Sequence, residues 1–218
     1  MNFTKEELRD LAITATGLSL LSGLFNFNLM IAYFIIYTFS TAFKVFCQKL
    51  TADKFDLEAK YSFDYNLFIV SLVVSLMSFG SLIFPILGSV KTSQKSIKRI
   101  GKYYSNITFN EKGWVSLIGI LSSIALIIVS LLLLNLSPGF FQKMVDINTL
   151  ILLFSIIPLA KFDGSNILWW NRFLWIALFV CSMLFSFMTV FKINIILSLL
   201  LAAVVFVLIF LMWENVLG

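Results

Sequence analysis

The chain is a succession of long apolar runs separated by short polar islands. A membrane-crossing helix needs roughly 20 mostly apolar residues. By that measure positions 8–25, 29–46, 114–134, 167–191 and 193–213 each predict a crossing. Positions 147–160 stay apolar for only about 13 residues, which predicts a short or broken crossing. Positions 65–87 are also strongly apolar, but Gly80 and Pro85 interrupt the run and Gly88 follows it. Trp114, Trp169, Trp170 and Trp213 sit near the ends of runs, as aromatics at a membrane–water interface do. The polar islands are 48–64 and 91–112, and the second helix is expected to continue into the first of them. Ahead of the first run, Thr4-Lys5-Glu6-Glu7 has the spacing of a capping box and predicts a helix start with a charged cap over 4–10. Charges of both signs there, and no small-residue cleavage site after the run, predict a membrane helix rather than a cleaved secretory signal. No repeat divides the chain, so 1–218 is read as a single membrane domain.

Composition excludes a soluble globule. Hydrophobic residues are 60% and charged residues 12% of the chain, against roughly 45–50% and 25% in soluble domains. Mean hydropathy is +0.99. There is no histidine, which removes Ser-His-Asp catalysis, imidazole-ligated zinc and histidine pH sensing. Cys47 and Cys181 both lie in apolar surroundings and form neither a disulfide framework nor a zinc knuckle.

Several segments, taken in order, resemble the archaeal branch of the site-2 protease family of intramembrane zinc metalloproteases. The stretch 48–61, QKLTADKFDLEAKY, is similar to the sequence that follows the family's His-Glu-x-x-His motif. Lys44-Val45-Phe46-Cys47-Gln48 stands at the motif's five positions. Pro158-Leu159-Ala160-Lys161-Phe162-Asp163-Gly164-Ser165 resembles the family's second motif, an Asp-Gly pair opening a later membrane helix. Ile118-Gly119-Ile120-Leu121-Ser122-Ser123 occupies the place of an Ala-Gly-Pro-x-x-Asn segment, with only the glycine kept. Ile86-Leu87-Gly88-Ser89-Val90 is similar to a Gly-Ala-Val turn of the family. The resemblance spans about Thr4 to Arg172. It implies an all-α polytopic membrane protein, a site-2-protease-like helical bundle with a re-entrant segment near 65–90.

The departures bear on activity. Zinc needs neutral imidazoles at i and i+4, a carboxylate and an open position for water, and the motif's glutamate serves as general base. Here the two histidine positions hold Lys44 and Gln48, and Val45 replaces the base. Of the four groups only Asp163 remains, and one carboxylate does not hold zinc. Cys47 projects about 100° away from Gln48 around the helix. The chain is therefore read as a pseudoprotease that keeps the scaffold: not an enzyme, with no catalytic residues, no metal and no cofactor. It would bind or regulate other membrane proteins through the vestigial substrate groove. The vestigial site comprises Lys44, Val45, Gln48, Asp163 and Gly164.

Topology is consistent with that reading only if 65–87 dips into the bilayer and returns. Two crossings then separate Lys44 from Asp163 and they can meet; a full crossing there would send them to opposite faces. Lys91, Lys95, Lys98, Arg99 and Lys102 make 91–112 strongly basic, which the positive-inside rule places in the cytoplasm. The expected topology is six crossings in the cell membrane with both termini cytoplasmic, with 26–28 and 136–146 as outer loops.

Intramembrane charges are expensive and usually paired. Lys44 and Asp163 are expected to pair where the metal ligands converged, with Gln48 adding a hydrogen bond. Two other readings stand: Lys44 snorkels to the headgroups, or Asp163 caps the helix starting near Ser165. On the pairing reading Lys44→Met destabilises more than loss of Lys49. Gly119, Ser122 and Ser123 read as helix-packing positions; a serine nucleophile would need a base, and none is in view in the sequence. The basic loop either binds anionic lipid or an acidic partner, or only sets orientation. Partners are membrane lipids and other transmembrane proteins; nothing suggests nucleic acid. Two further function classes are open: a small transporter, channel or lipid-binding protein, and an enzyme with an unconventional metal site using Asp163 and Cys47. A pore wants a polar line, and the late runs offer only Ser182, Ser186, Thr189, Asn194 and Ser198.

Overall fold

The computed structural model describes residues 3–23, 27–78, 84–94, 107–159 and 161–190. Gly80, the last apolar run at 193–213 with Trp213, and Lys95, Lys98, Arg99 and Lys102 of the basic loop lie outside the described residues. The elements in chain order are α1 (Lys5–Gly23), a short 3-10 turn at Phe27–Leu29, α2 (Met30–Lys54), β1 (Leu57–Phe63), α3 (Tyr65–Met77), β2 (Gly88–Gln94), α4 (Phe109–Leu132), α5 (Pro138–Ile156), α6 (Asp163–Trp170) and α7 (Arg172–Val190). Helices dominate, and α2, α4 and α5 are each long and apolar enough to cross a membrane. The protein is an all-α membrane protein carrying one small antiparallel sheet.

Thr4 and Glu7 cap α1 reciprocally, as the sequence predicts: the Glu7 amide donates to Thr4 Oγ1 at 3.3 Å and the Thr4 amide to Glu7 Oε2 at 2.8 Å. α2 continues into the first polar island, as the sequence predicts, but only as far as its seventh residue. The helix stops at Lys54, and Asp56, at a φ of 55°, turns the chain into β1. Aspartate tolerates this left-handed backbone better than most residues. The alternation in 57–63 was the available signal: Leu57, Ala59 and Tyr61 are buried, while Glu58 and Lys60 point outward, a period of two that suits a strand.

The sheet brings the two ends of 64–87 together. Phe63 pairs with Gly88 across the β1–β2 ladder, and the Asp64 amide donates to the Leu87 carbonyl at 2.8 Å. Both ends of the segment are thus hydrogen-bonded to each other, so it returns to the level from which it left. Its helix α3 has 13 residues, about 20 Å at the helical rise. Most of its apolar side chains, including Ile69, Val73 and Met77, are exposed.

The edge of β1 that faces away from β2 is covered by α1. Tyr61 donates its amide to Glu7 Oε1 and Phe63 its amide to Asp10 Oδ2, each at 3.1 Å. Two carboxylates three residues apart on one helix face thereby match two amides two residues apart on a strand. Unsatisfied strand edges are costly away from water, so this match fixes where the sheet sits. Glu7 also receives Lys49 Nζ at 2.6 Å, in a pair with side-chain exposures of 2% and 8%. That pair joins α1, α2 and β1.

Two core clusters organise the helices. One joins α1, α2 and α5 through Leu18, Ile36, Tyr37 and Ile151, with Leu87 from the returning segment. The other joins α4, α5, α6 and α7 through Ile120, Ile127, Leu152, Ile156 and Ile167. The crossing expected to be short at 147–160 is corrected: α5 begins at Pro138 and has 19 residues. The polar residues of 138–146, read as an outer loop, form its first half. Pro138 suits a first helical position, and Gln142 donates to Asp146 one turn on, at 3.1 Å. The continuous span at 167–191 is also corrected. Asn171 breaks it, its Oδ1 accepting from the amides of Phe173 and Leu174 to cap α7.

The Lys49–Glu7 pair overturns the use of Lys49 as an inert comparison for Lys44. Removing one partner of a buried ion pair costs roughly 3–5 kcal/mol, whereas exposed pairs contribute about 0–1 kcal/mol. Lys49→Met is expected to lower the thermal midpoint in detergent by several degrees. Lys60→Met, which breaks the exposed Lys60–Glu58 pair, is expected to leave it nearly unchanged in the same assay.

Candidate functional site

Lys44 and Gln48 lie one turn apart on α2 and both reach Asp163, the first residue of α6. Lys44 Nζ is 2.7 Å from Asp163 Oδ2, and Gln48 Nε2 donates to Asp163 Oδ1 at 2.9 Å. Both carboxylate oxygens are therefore engaged. The two charged side chains are each 15% exposed. Lys44 donates in addition to Ser155 Oγ on α5, at 2.7 Å. One ammonium thus ties α2 to both α5 and α6. Asp163 makes no side-chain cap; Phe162 holds the cap position of α6. Lys44 is engaged within the bundle rather than snorkelled to headgroups.

Glycines allow this convergence. A Cβ at Gly119 on α4 would overlap the Gln48 amide and come within 3.2 Å of Asp163 Oδ2. Gly164 lies so close to the Ile156 carbonyl that no side chain fits. Ser122 and Ser123 do not join the site: both are buried and donate to the Gly119 carbonyl of their own helix. Val45 turns toward Leu11 and Tyr61 and takes no part in the polar tie. Asn166 Nδ2 donates to Ser116 Oγ at 2.9 Å, a second tie between α6 and α4.

A cavity of about 50 Å³ adjoins the tie, lined by Thr41, Lys44, Ser155 and Asp163 on one side and by Leu87 and Ser89 on the other. That volume holds a few water molecules. At its rim Lys161 is paired with Asp64, the N-cap residue of α3. This pair ties the returning segment to the α5–α6 connection. The Lys161 hydrogen bond is the main reason that the Asp64 carboxyl is held below its ordinary range, and the amides of Asn66 and Leu67 add to it. Phe84 packs in the same seam, its ring 4.7 Å from Phe154 and 5.8 Å from Phe162.

Sequence reasoning found Lys44, Gln48, Asp163, Gly119 and Gly164, and the structure brings all five together. It missed Ser155, Lys161 and Asp64. Ser155 is 111 residues from Lys44 in the chain, and nothing local distinguishes it from the other serines of the apolar runs. Of the basic loop, Lys91 lies exposed on β2.

The donor set does not fit tetrahedral zinc. Such sites use imidazole, thiolate and carboxylate donors, whereas Asp163 here faces an ammonium and an amide N–H. Among the described residues no three metal-ligating side chains of the histidine, cysteine, aspartate or glutamate type cluster.

No protein-family model and no solved structure matches the chain. A curated protein of Methanocaldococcus jannaschii bearing the name "Putative zinc metalloprotease" is 25% identical over 183 residues, 79% of this chain and 88% of that protein. The similarity covers most of both chains and agrees with the resemblance read from the motifs. It corrects the reading of the chain as no enzyme. That reading rested on Lys44, Val45 and Gln48 standing where metal chemistry needs other residues, but the relative's name points toward an enzyme. Loss of one set of reactive groups does not exclude another on the same scaffold.

Two predictions come from this geometry. Gly119→Val drives α4 away from Gln48 and Asp163, and is expected to cost about 1–3 kcal/mol or more, as overpacked cores do; the thermal midpoint in detergent reads it. The Asp64–Lys161 pair depends on an ionised Asp64. Because its folded pKa is depressed, its contribution is complete above the ordinary carboxylate pKa and is lost as pH falls through the folded value. The difference in thermal midpoint between the native chain and Lys161→Gln is expected to be constant near neutral pH and to close on acidification.

Proposed function

We propose that this chain is a site-2-protease-like membrane protein that receives a single transmembrane segment of another membrane protein at the cavity beside Lys44, Ser155 and Asp163. The observation that carries the reading is the closure of 64–87 upon itself beside that tie. It brings Pro85 to Gly88, the end of the returning segment, into the wall of the cavity, while α3 at its start is apolar and weakly buried. The similarity to a protein named as a zinc metalloprotease supports a site of this kind. The present cavity is too small for a peptide. Entry requires the seam formed by Asp64, Phe84, Lys161 and Phe162 to part. An exposed ion pair and ring contacts hold it, and such contacts separate at small cost.

In this reading the polar tie stands in the cytoplasmic half of the bilayer and both termini are cytoplasmic. Two crossings, α4 and α5, separate α2 from α6, which satisfies the parity needed for Lys44 and Asp163 to meet. Lys91 then faces anionic headgroups. Membrane lipids and single-span membrane proteins are the partners.

A photocrosslinking amino acid at position 89, on the cavity wall, tests the reading in proteoliposomes. A synthetic single-span peptide is expected to crosslink there at least several-fold more than at position 132, which is exposed on the lipid-facing side of α4. Equal crosslinking at the two positions would show that the peptide merely shares the bilayer.

A further inference from the structure

We propose that Ser155 and Lys44 form a serine–lysine nucleophile pair that acts on a carbonyl carbon presented in the adjoining cavity, with Asp163 as proton store. The inference rests on the reading that this cavity receives a peptide segment. Four observations carry it. Lys44 Nζ is 2.7 Å from Ser155 Oγ, within direct proton-transfer distance. Both residues line the cavity. Lys44 is also 2.7 Å from Asp163 Oδ2, so its proton has a place to go. Finally, Ser155 differs from the neighbouring membrane serines. Ser122, Ser123, Ser130, Ser182 and Ser186 each donate to a carbonyl of their own helix, the ordinary use of serine there. The hydroxyl oxygen of Ser155 instead accepts from a lysine on another helix.

A serine hydroxyl is a weak nucleophile until a base takes its proton, and a lysine amine can be that base. Lysine serves as a base only when neutral. In water a carboxylate 2.7 Å away would keep it charged. In the proposed cycle one proton passes from Lys44 Nζ to Asp163 Oδ2 across their 2.7 Å contact, which leaves a neutral pair. The amine then takes the Ser155 hydroxyl proton as Oγ bonds to the substrate carbonyl carbon. The carbon–nitrogen bond breaks, and the proton on Lys44 passes to the leaving nitrogen. Water adds to the resulting ester and gives its proton to Lys44. As the carbon–oxygen bond to Ser155 breaks, that proton returns to Oγ. Asp163 returns its proton to Lys44 at the end. Every proton is accounted for, and the net reaction is hydrolysis of an amide. The cavity of about 50 Å³ has room for the water.

The test is labelling of the purified full chain in detergent with diisopropyl fluorophosphate, with the adduct located by peptide mass spectrometry. The native chain is expected to carry the adduct at Ser155, and Ser155→Ala to lose it. Lys44→Arg is the deciding variant. Arginine keeps the charge and the bond to Asp163, so the fold persists, but it does not give up a proton. Labelling at Ser155 is expected to fall at least tenfold in Lys44→Arg, with the thermal midpoint unchanged within a few degrees. A purely structural Lys44 predicts equal labelling in the two proteins, and that result overturns the proposal. So does a native chain without an adduct at Ser155. The crosslinking experiment at position 89 is run on the same preparations. Crosslinking without labelling removes the nucleophile pair and leaves the segment-binding reading standing; loss of both removes both.

Discussion

The bundle closes on one carboxylate. Asp163 begins α6, and its two oxygens take Lys44 and Gln48 from successive turns of α2. Around that contact α4 comes close because Gly119 has no side chain, and the α5–α6 connection folds tightly because Gly164 has none. A carboxylate in the bilayer interior is costly unless it is paired and hydrogen-bonded. Packing between membrane helices has no hydrophobic driving force of its own to fix register. A single saturated charge therefore defines how α2, α4, α5 and α6 meet more sharply than the apolar contacts do. Lys44 extends the tie to Ser155, so the same contact that sets the packing also places a hydroxyl beside an amine.

A second charge cluster does comparable work at one end of the bundle. Glu7 and Asp10 on α1 satisfy the outward amides of β1, and Lys49 neutralises Glu7. The sheet held in this way brings the two ends of 64–87 together, Phe63 opposite Gly88 and the Asp64 amide on the Leu87 carbonyl. The two clusters are linked through α2, which carries Lys49 to Glu7 and Lys44 and Gln48 to Asp163. The ion pair between Asp64 and Lys161 stands at the rim of the cavity, where Lys161 lines it.

The similarity to an archaeal protein named as a zinc metalloprotease fits the scaffold but not the donor set around Asp163. The ammonium of Lys44 occupies one carboxylate oxygen and the Gln48 amide the other. These are groups that cannot share a zinc ion with it. What the geometry offers there is an ammonium and a hydroxyl in direct contact beside a small cavity. The scaffold is thus compatible with chemistry of a different kind at the same place.

The sequence by itself determined the membrane class, because 60% hydrophobic residues cannot be covered by so few charges. It also determined the helix start at Thr4, and it named Lys44, Gln48 and Asp163 as residues that could meet and 65–87 as a segment that could return, with other readings open for each. Each of these follows from local pattern, from parity or from resemblance. It did not determine β1, whose alternation is only seven residues long and adjoins a strong helical run. Nor did it reveal the full length of α5, whose polar first half reads as a loop until Pro138 and the Gln142–Asp146 pair are seen to start a helix. The roles of Ser155, Lys49 and Lys161 were decided only by tertiary structure. Their partners lie 111, 42 and 97 residues away, and no local signal marks which of many similar side chains will be brought to a given charge. Sequence sets which residues must find a partner in the membrane; packing alone selects the partner.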